Sequence, residues 1–104
     1  METNMKALMI VTNAGFADDI INAAREVGVR GATILNARGE GAHHETIFGI
    51  TVDTEKDLIL SIVDEVIAKK AMEVIKERFG LKTSAHCICF TMPVDKIIGI
   101  NIDP

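Results

Sequence analysis

Leu58-Ile59-Leu60-Ser61-Ile62-Val63-Asp64-Glu65 is the stretch on which the fold turns. Two readings compete for it. In one, Glu55 to Phe79 forms a single long helix. In the other, a strand over 58–63 ends at Asp64 and a helix begins there. The apolar run is about one buried strand long, and Asp is a residue whose carboxylate caps the first free N–H groups of a helix. From Glu65 onward Ile67, Ala71, Ile75 and Phe79 recur at four-residue steps, which is helical spacing. Lys76 and Arg78 suit the last turn, and Gly80 stops it. The sequence therefore predicts a strand over 58–63 and a helix over 65–79.

Working outward, Ala7-Leu8-Met9-Ile10-Val11 is a second continuous apolar run of strand length, broken by Thr12-Asn13-Ala14-Gly15. Phe16, Ile20, Ile21, Ala23, Ala24 and Val27 then follow helical spacing, with Asp18 and Asp19 near the positive end of the dipole and Gly28 as the stop. Gly31 opens a strand over Ala32 to Ala37. From Arg38 to Glu55 regularity fails: Gly39, Gly41, Gly49, His43, His44 and the apolar island Ile47-Phe48-Gly49-Ile50 read as one long loop with room for a short strand. Loops this long in compact domains are usually functional or disordered. After the helix, His86 to Met92 reads as a strand stopped by Pro93, followed by a mostly apolar tail from Val94 to Ile102.

The order β-α-β-β-α-β is the split arrangement of ferredoxin-like folds. The fold class is α+β: a four-stranded antiparallel sheet with two helices on one face. Right-handed crossovers place the first and third strands in the centre. These are the two most continuously apolar strands, and they barely alternate. Their second face must also be covered, so the sequence predicts packing against the sheet of another subunit.

The chain has 104 residues, read as a single domain over 1–104, with 48% apolar but only 4% aromatic residues and neither Trp nor Tyr. Stacking platforms for single-stranded nucleic acid are thus unsupported. Net charge is -4, and no basic cluster exceeds Lys69-Lys70, so the electrostatic footprint of a nucleic-acid binder is absent. No apolar run is long enough to span a bilayer. Cys87 and Cys89 fit a reduced, cytoplasmic protein.

Several ordered segments resemble the PII signalling family. Glu26-Val27-Gly28-Val29-Arg30-Gly31-Ala32-Thr33 is similar to the pattern E-V-G-V-K-G-x-T that leads from the first helix into the second strand. Arg38-Gly39-Glu40-Gly41 resembles the K-G-x-G that opens the family's T-loop, and Glu55-Lys56 the basic residue that closes it. Phe90-Thr91-Met92-Pro93-Val94-Asp95 resembles F-V-L-P-V-E. The resemblance implies a trimer with ligand clefts between subunits, an adenine nucleotide as ligand, and a long loop that docks on transporters, enzymes or transcription regulators. It departs where the family carries T-G-x-x-G-D-G-K. The last Gly and Lys are matched by Cys87 and Ile88, and two later arginines by Gly99 and Asn101. Charged hydrogen bonds contribute roughly 1.5–3 kcal/mol each, so their loss speaks against tight polyphosphate binding in the PII manner. The chain reads as a divergent PII-like protein.

On this basis the candidate ligand residues are Thr33, Arg38, Gly39, Gly41, Lys56, Thr83, Ser84, His86 and Cys87. The candidate partner-binding residues are His43, His44, Glu45, Ile47 and Phe48. Each has a plainer reading: glycines that permit positive φ, solvated charges at Arg38 and Lys56, and a solvated tip at His43 and His44. On a strand Cys87 and Cys89 share one face, and buried cysteine packs as a small hydrophobe. Asp18-Asp19 reads as dipole complement, and no nucleophile, paired-carboxylate or Walker pattern supports an enzyme. No metal site is assigned; the alternative reading is a metal-binding, CutA-like trimer carried by the histidines and cysteines. The leading expectation is a trimeric sensor that controls a membrane transporter or metabolic enzyme, with no nucleic-acid partner and no membrane insertion.

Overall fold

The computed structural model describes residues 4–39, 45–47, 50–52 and 54–100, and of residues 45–47, 50–52 and 54 the backbone alone. The elements run β1 (Met5–Asn13), α1 (Ala17–Glu26), β2 (Thr33–Gly39), β3 (Glu45–Ile47), β4 (Ile50–Val52), β5 (Thr54–Asp64), α2 (Glu65–Phe79) and β6 (Ile88–Pro93). The four long strands form one antiparallel sheet in the order β2-β5-β1-β6. β1 and β5 are central, as their apolar sequences require.

The junction at Asp64 resolves as a strand followed by a helix. Asp64 Oδ1 accepts a 2.8 Å bond from the Ile67 N–H, so the carboxylate satisfies one of the free donors of the first turn. The single-helix alternative fails because Thr54–Asp64 is registered against β1 on one side and β2 on the other.

Both helices lie on one face of the sheet. Leu8 and Ile10 of β1 and Ile59 and Val63 of β5 are buried with Ile20, Ala23 and Ala24 of α1 and Ala68, Ala71 and Ile75 of α2. Small residues on the facing sides let the helices approach the sheet and each other. Gly28, at φ +115, ends α1 where a Cβ would sit 3.1 Å from Ile67 Cδ1. That backbone conformation and that contact both call for glycine.

The other face carries no helix. Register aligns Ala7, Met9 and Val11 of β1 with Ile62, Leu60 and Leu58 of β5 and with Met92, Phe90 and Ile88 of β6. Thr33 and Leu35 of β2 continue the rows. Leu35, Ile88, Phe90 and Met92 are exposed. An apolar face of this extent is a mark of an interaction surface.

Three expectations change. The segment 38–55 is not one loop: β2 continues to Gly39, β5 starts at Thr54, and β3 and β4 pair antiparallel between them, Ile47 opposite Ile50. Strand pairing carries through positions that the glycines and polar residues had marked as irregular. The last strand starts at Ile88 rather than His86. His86 adopts φ 49, a left-handed backbone that no strand accommodates, and Cys87 N–H bonds the Phe79 carbonyl at 2.9 Å. Gly39 is not a positive-φ position. His43, His44, Gly41 and Phe48 lie outside the described residues, as do 101 and 102 of the expected tail; from Val94 to Ile100 no strand forms.

Candidate functional site

One end of the open sheet face is polar. The odd-numbered side chains of β1 run apolar from Ala7 through Met9 and Val11 and then change at Asn13, which registers with Lys56 of β5. Lys56 Nζ donates to Asn13 Oδ1. Asn13 Nδ2 in turn donates to the Ser84 carbonyl at 2.8 Å. The lysine stem crosses β2 beside Gly39, where a Cβ would stand 2.9 Å from Lys56 Cε and 3.1 Å from Cγ. Gly39 thus lets the Lys56 stem lie close against β2, a contact that sequence could not supply.

The loop between α2 and β6 is tied down at this same end. Thr83 Oγ1 donates to the Gly80 carbonyl at 2.8 Å, and the Thr83 N–H bonds the same carbonyl at 3.0 Å. His86 N–H reaches the Thr83 carbonyl at 3.2 Å, and its ring Nδ1 lies 3.0 Å from the Leu81 carbonyl. The wholly buried Thr12 sends its hydroxyl to the Ala85 carbonyl at 3.2 Å, which also accepts from the Asn13 N–H at 2.9 Å. The turn is thus held by the side chains of Thr83 and His86 together with main-chain bonds.

Cys87 and Cys89 pack half-buried against the core under the helices. Burial raises the pKa of both. For Cys89 burial, and then the neighbouring Cys87 charge, push it from 9.0 to about 11. For Cys87 burial is partly offset by a hydrogen bond with Thr12. Both are neutral thiols at pH 7, which suits packing. Among the described residues no group of three or more His, Cys, Asp or Glu is placed to hold a metal ion.

The structure gathers some candidate residues and separates others. Gly39, Lys56 and Ser84 meet through Asn13. Arg38 does not join them: it registers with Glu55, and alternation along β2 and β5 puts that pair on the opposite face from Lys56. Thr83, His86 and Cys87 belong to the adjoining loop. Glu45 and Ile47 lie on β3. Thr33 lies six positions from Gly39, about 20 Å at the rise of a strand. It lines a separate groove of about 540 Å³ at the far end of β2, walled by Gly28, Arg30, Gly31, Leu60, Ile62 and Ile100 among others. Asn13 was missed. The signal was there, since it is the polar residue that breaks the alternate apolar positions of its own strand.

Comparison with known proteins bears on this arrangement. The family model described as Nitrogen regulatory protein P-II matches residues 5–103. No curated protein matches the sequence. Among solved structures, a Bacillus subtilis GlnK–ATP complex is 17% identical with a TM-score of 0.69, covering 88% of this chain and 86% of its own. Arabidopsis thaliana PII bound to citrate is 17% identical with a TM-score of 0.67, covering 95% and 82%. CPII, a nitrogen regulatory PII-like protein from Thiomonas intermedia K12 bound to ADP, AMP and bicarbonate, is 20% identical with a TM-score of 0.64, covering 90% and 96%. At these identities the structures attest the shared fold, whereas the family match extends over nearly the whole sequence, and the chain belongs to the nitrogen regulatory P-II family.

Proposed function

We propose that this chain is the subunit of a trimeric signalling protein, not an enzyme, that binds a small ligand where subunits meet and controls a protein partner through the segment between β2 and β5. The observation that carries the reading is the open sheet face, whose apolar rows leave Phe90 and Met92 41% and 46% exposed. Covering these rows with two neighbouring sheets removes the surface from water, and the hydrophobic effect drives that association.

The separation of the candidate residues supports a shared site. The groove at Thr33 and the cluster at Lys56 lie at opposite ends of β2, so within one subunit they do not meet. Two subunits side by side can bring the groove of one against the cluster of the other. An adenine nucleotide suits such a cleft, as the relatives bound to ATP, ADP and AMP suggest. Cys87 and Ile88 stand where the family pattern carries its last Gly and Lys, so a less charged ligand is favoured over ATP. The partner is a membrane transporter or a metabolic enzyme in the cytoplasm, met by the segment that holds His43, His44, Glu45, Ile47 and Phe48. No helix among the described residues is long and apolar enough to cross a membrane. The family match does not favour the metal-binding alternative.

A thermal-shift screen against adenine nucleotides, carboxylates and divalent metals tests the reading. Ligands specific for the native state raise its apparent stability by mass action. A shift with an adenine compound that disappears in both Thr33→Arg and Lys56→Met supports a shared cleft. A shift with metals alone overturns it.

A further inference from the structure

We infer that Asn13 is a positioning residue that couples the stem of the β2–β5 segment to the 80–87 loop, because its one side-chain amide holds Lys56 on one side and Ser84 on the other. The inference goes beyond the proposed function and does not depend on what ligand binds.

The amide has a single workable orientation. Its oxygen must face the Lys56 ammonium, which only donates, and its nitrogen must face the Ser84 carbonyl, which only accepts. A flip would set NH₂ against NH₃⁺ and oxygen against oxygen. Each partner therefore fixes the orientation that the other needs. Lys56 itself has no hydrogen bond with the 80–87 loop among those described, so its influence there passes through Asn13. On the other side, the stem of Lys56 lies close against Gly39, so the lysine also touches the end of β2.

The loop does not depend on this amide for its attachment. Thr12 Oγ1 and the Asn13 N–H hold the Ala85 carbonyl independently. Loss of the side chain then removes the connection and loosens the loop without detaching it. A ligand that takes Lys56, or that pulls Ser84 away, frees the amide and changes the other end. Coupling of this kind is reciprocal.

Hydrogen exchange on the intact protein, with Asn13→Leu, Asn13→Asp, Lys56→Met and the double variant Asn13→Leu/Lys56→Met, tests the assignment. The amides to follow are 82–87 in the loop and 36–39 and 55–57 in the stem. Lys56→Met should accelerate exchange over 82–87 by about fivefold, on the order of one neutral hydrogen bond such as that from Asn13 to Ser84. It should add nothing further in the Asn13→Leu background. Asn13→Asp should act oppositely at the two ends, slowing the stem through a stronger bond to Lys56 and accelerating the loop through the lost donor. This second variant keeps the test open if Asn13→Leu fails to fold. Unchanged 82–87 exchange in Lys56→Met, additive effects in the double variant, or protection of both ends by Asn13→Asp would overturn the inference.

Discussion

Replacing Phe90 with glutamate should dissolve the proposed trimer while leaving the subunit folded. Phe90 stands on the open face opposite Met9 and is 41% exposed in the isolated subunit. A phenylalanine presents about 150–250 Å², so roughly 80 Å² per subunit awaits cover. At about 25 cal/mol per Å² that area contributes about 2 kcal/mol per subunit and about 6 kcal/mol per trimer. Since 1.4 kcal/mol is a factor of ten, the trimer association constant should fall by about four orders of magnitude. A carboxylate facing apolar rows adds an uncompensated charge to that loss. The helix-side core is untouched, so the far-ultraviolet circular dichroism should be preserved. Sedimentation equilibrium at micromolar concentration should report three times the 11.3 kDa of one chain for the wild type and a single chain for the variant. A variant that keeps the wild-type mass would refute the reasoning, and so would a wild type that sediments as a monomer.

Two further expectations concern the folded subunit. Ile75→Ala empties a site only 1% exposed between α2 and the sheet; it should cost about 2–5 kcal/mol in a denaturant titration, and a loss below about 1 kcal/mol would show that the core is packed elsewhere. The cysteines predict an alkaline decline: because burial raises Cys89 from 9.0 to about 11, the folded state favours the neutral thiol. Its contribution is complete below about pH 9 and is lost as pH rises toward 11. Thermal melts between pH 8 and 11 should fall less steeply for Cys89→Ser than for the wild type, and identical slopes would contradict the assignment.

The long elements were readable because each carried two independent signals. For α2 these were the four-residue apolar steps and the capping Asp64, and its bounds came out as expected. The apolar continuity of β1 and β5 announced both their central place and the need to cover a second face. The β2–β5 segment was misread because its glycines and polar residues suggest irregularity, whereas main-chain pairing needs no particular side chain. His86 was misread because nothing in its type announces a left-handed backbone; hydrogen bonds to Thr83 and Leu81 hold it there. The candidate site was legible as a set of segments through their likeness to the family. The separation of Thr33 from Lys56, the opposite faces of Arg38 and Lys56, and the role of Asn13 depend on register, which no local pattern fixes.

The central claim is that subunits join to make a cleft for a small, modestly charged ligand. Calorimetric titration of the assembled protein with adenosine, AMP, ADP and ATP tests it most directly. The account predicts saturable binding at one site per chain, with affinity that does not increase from AMP to ATP, because Cys87 and Ile88 stand where the family pattern carries its last Gly and Lys. Absence of heat with all four, or affinity that climbs steeply with each phosphate, would contradict it.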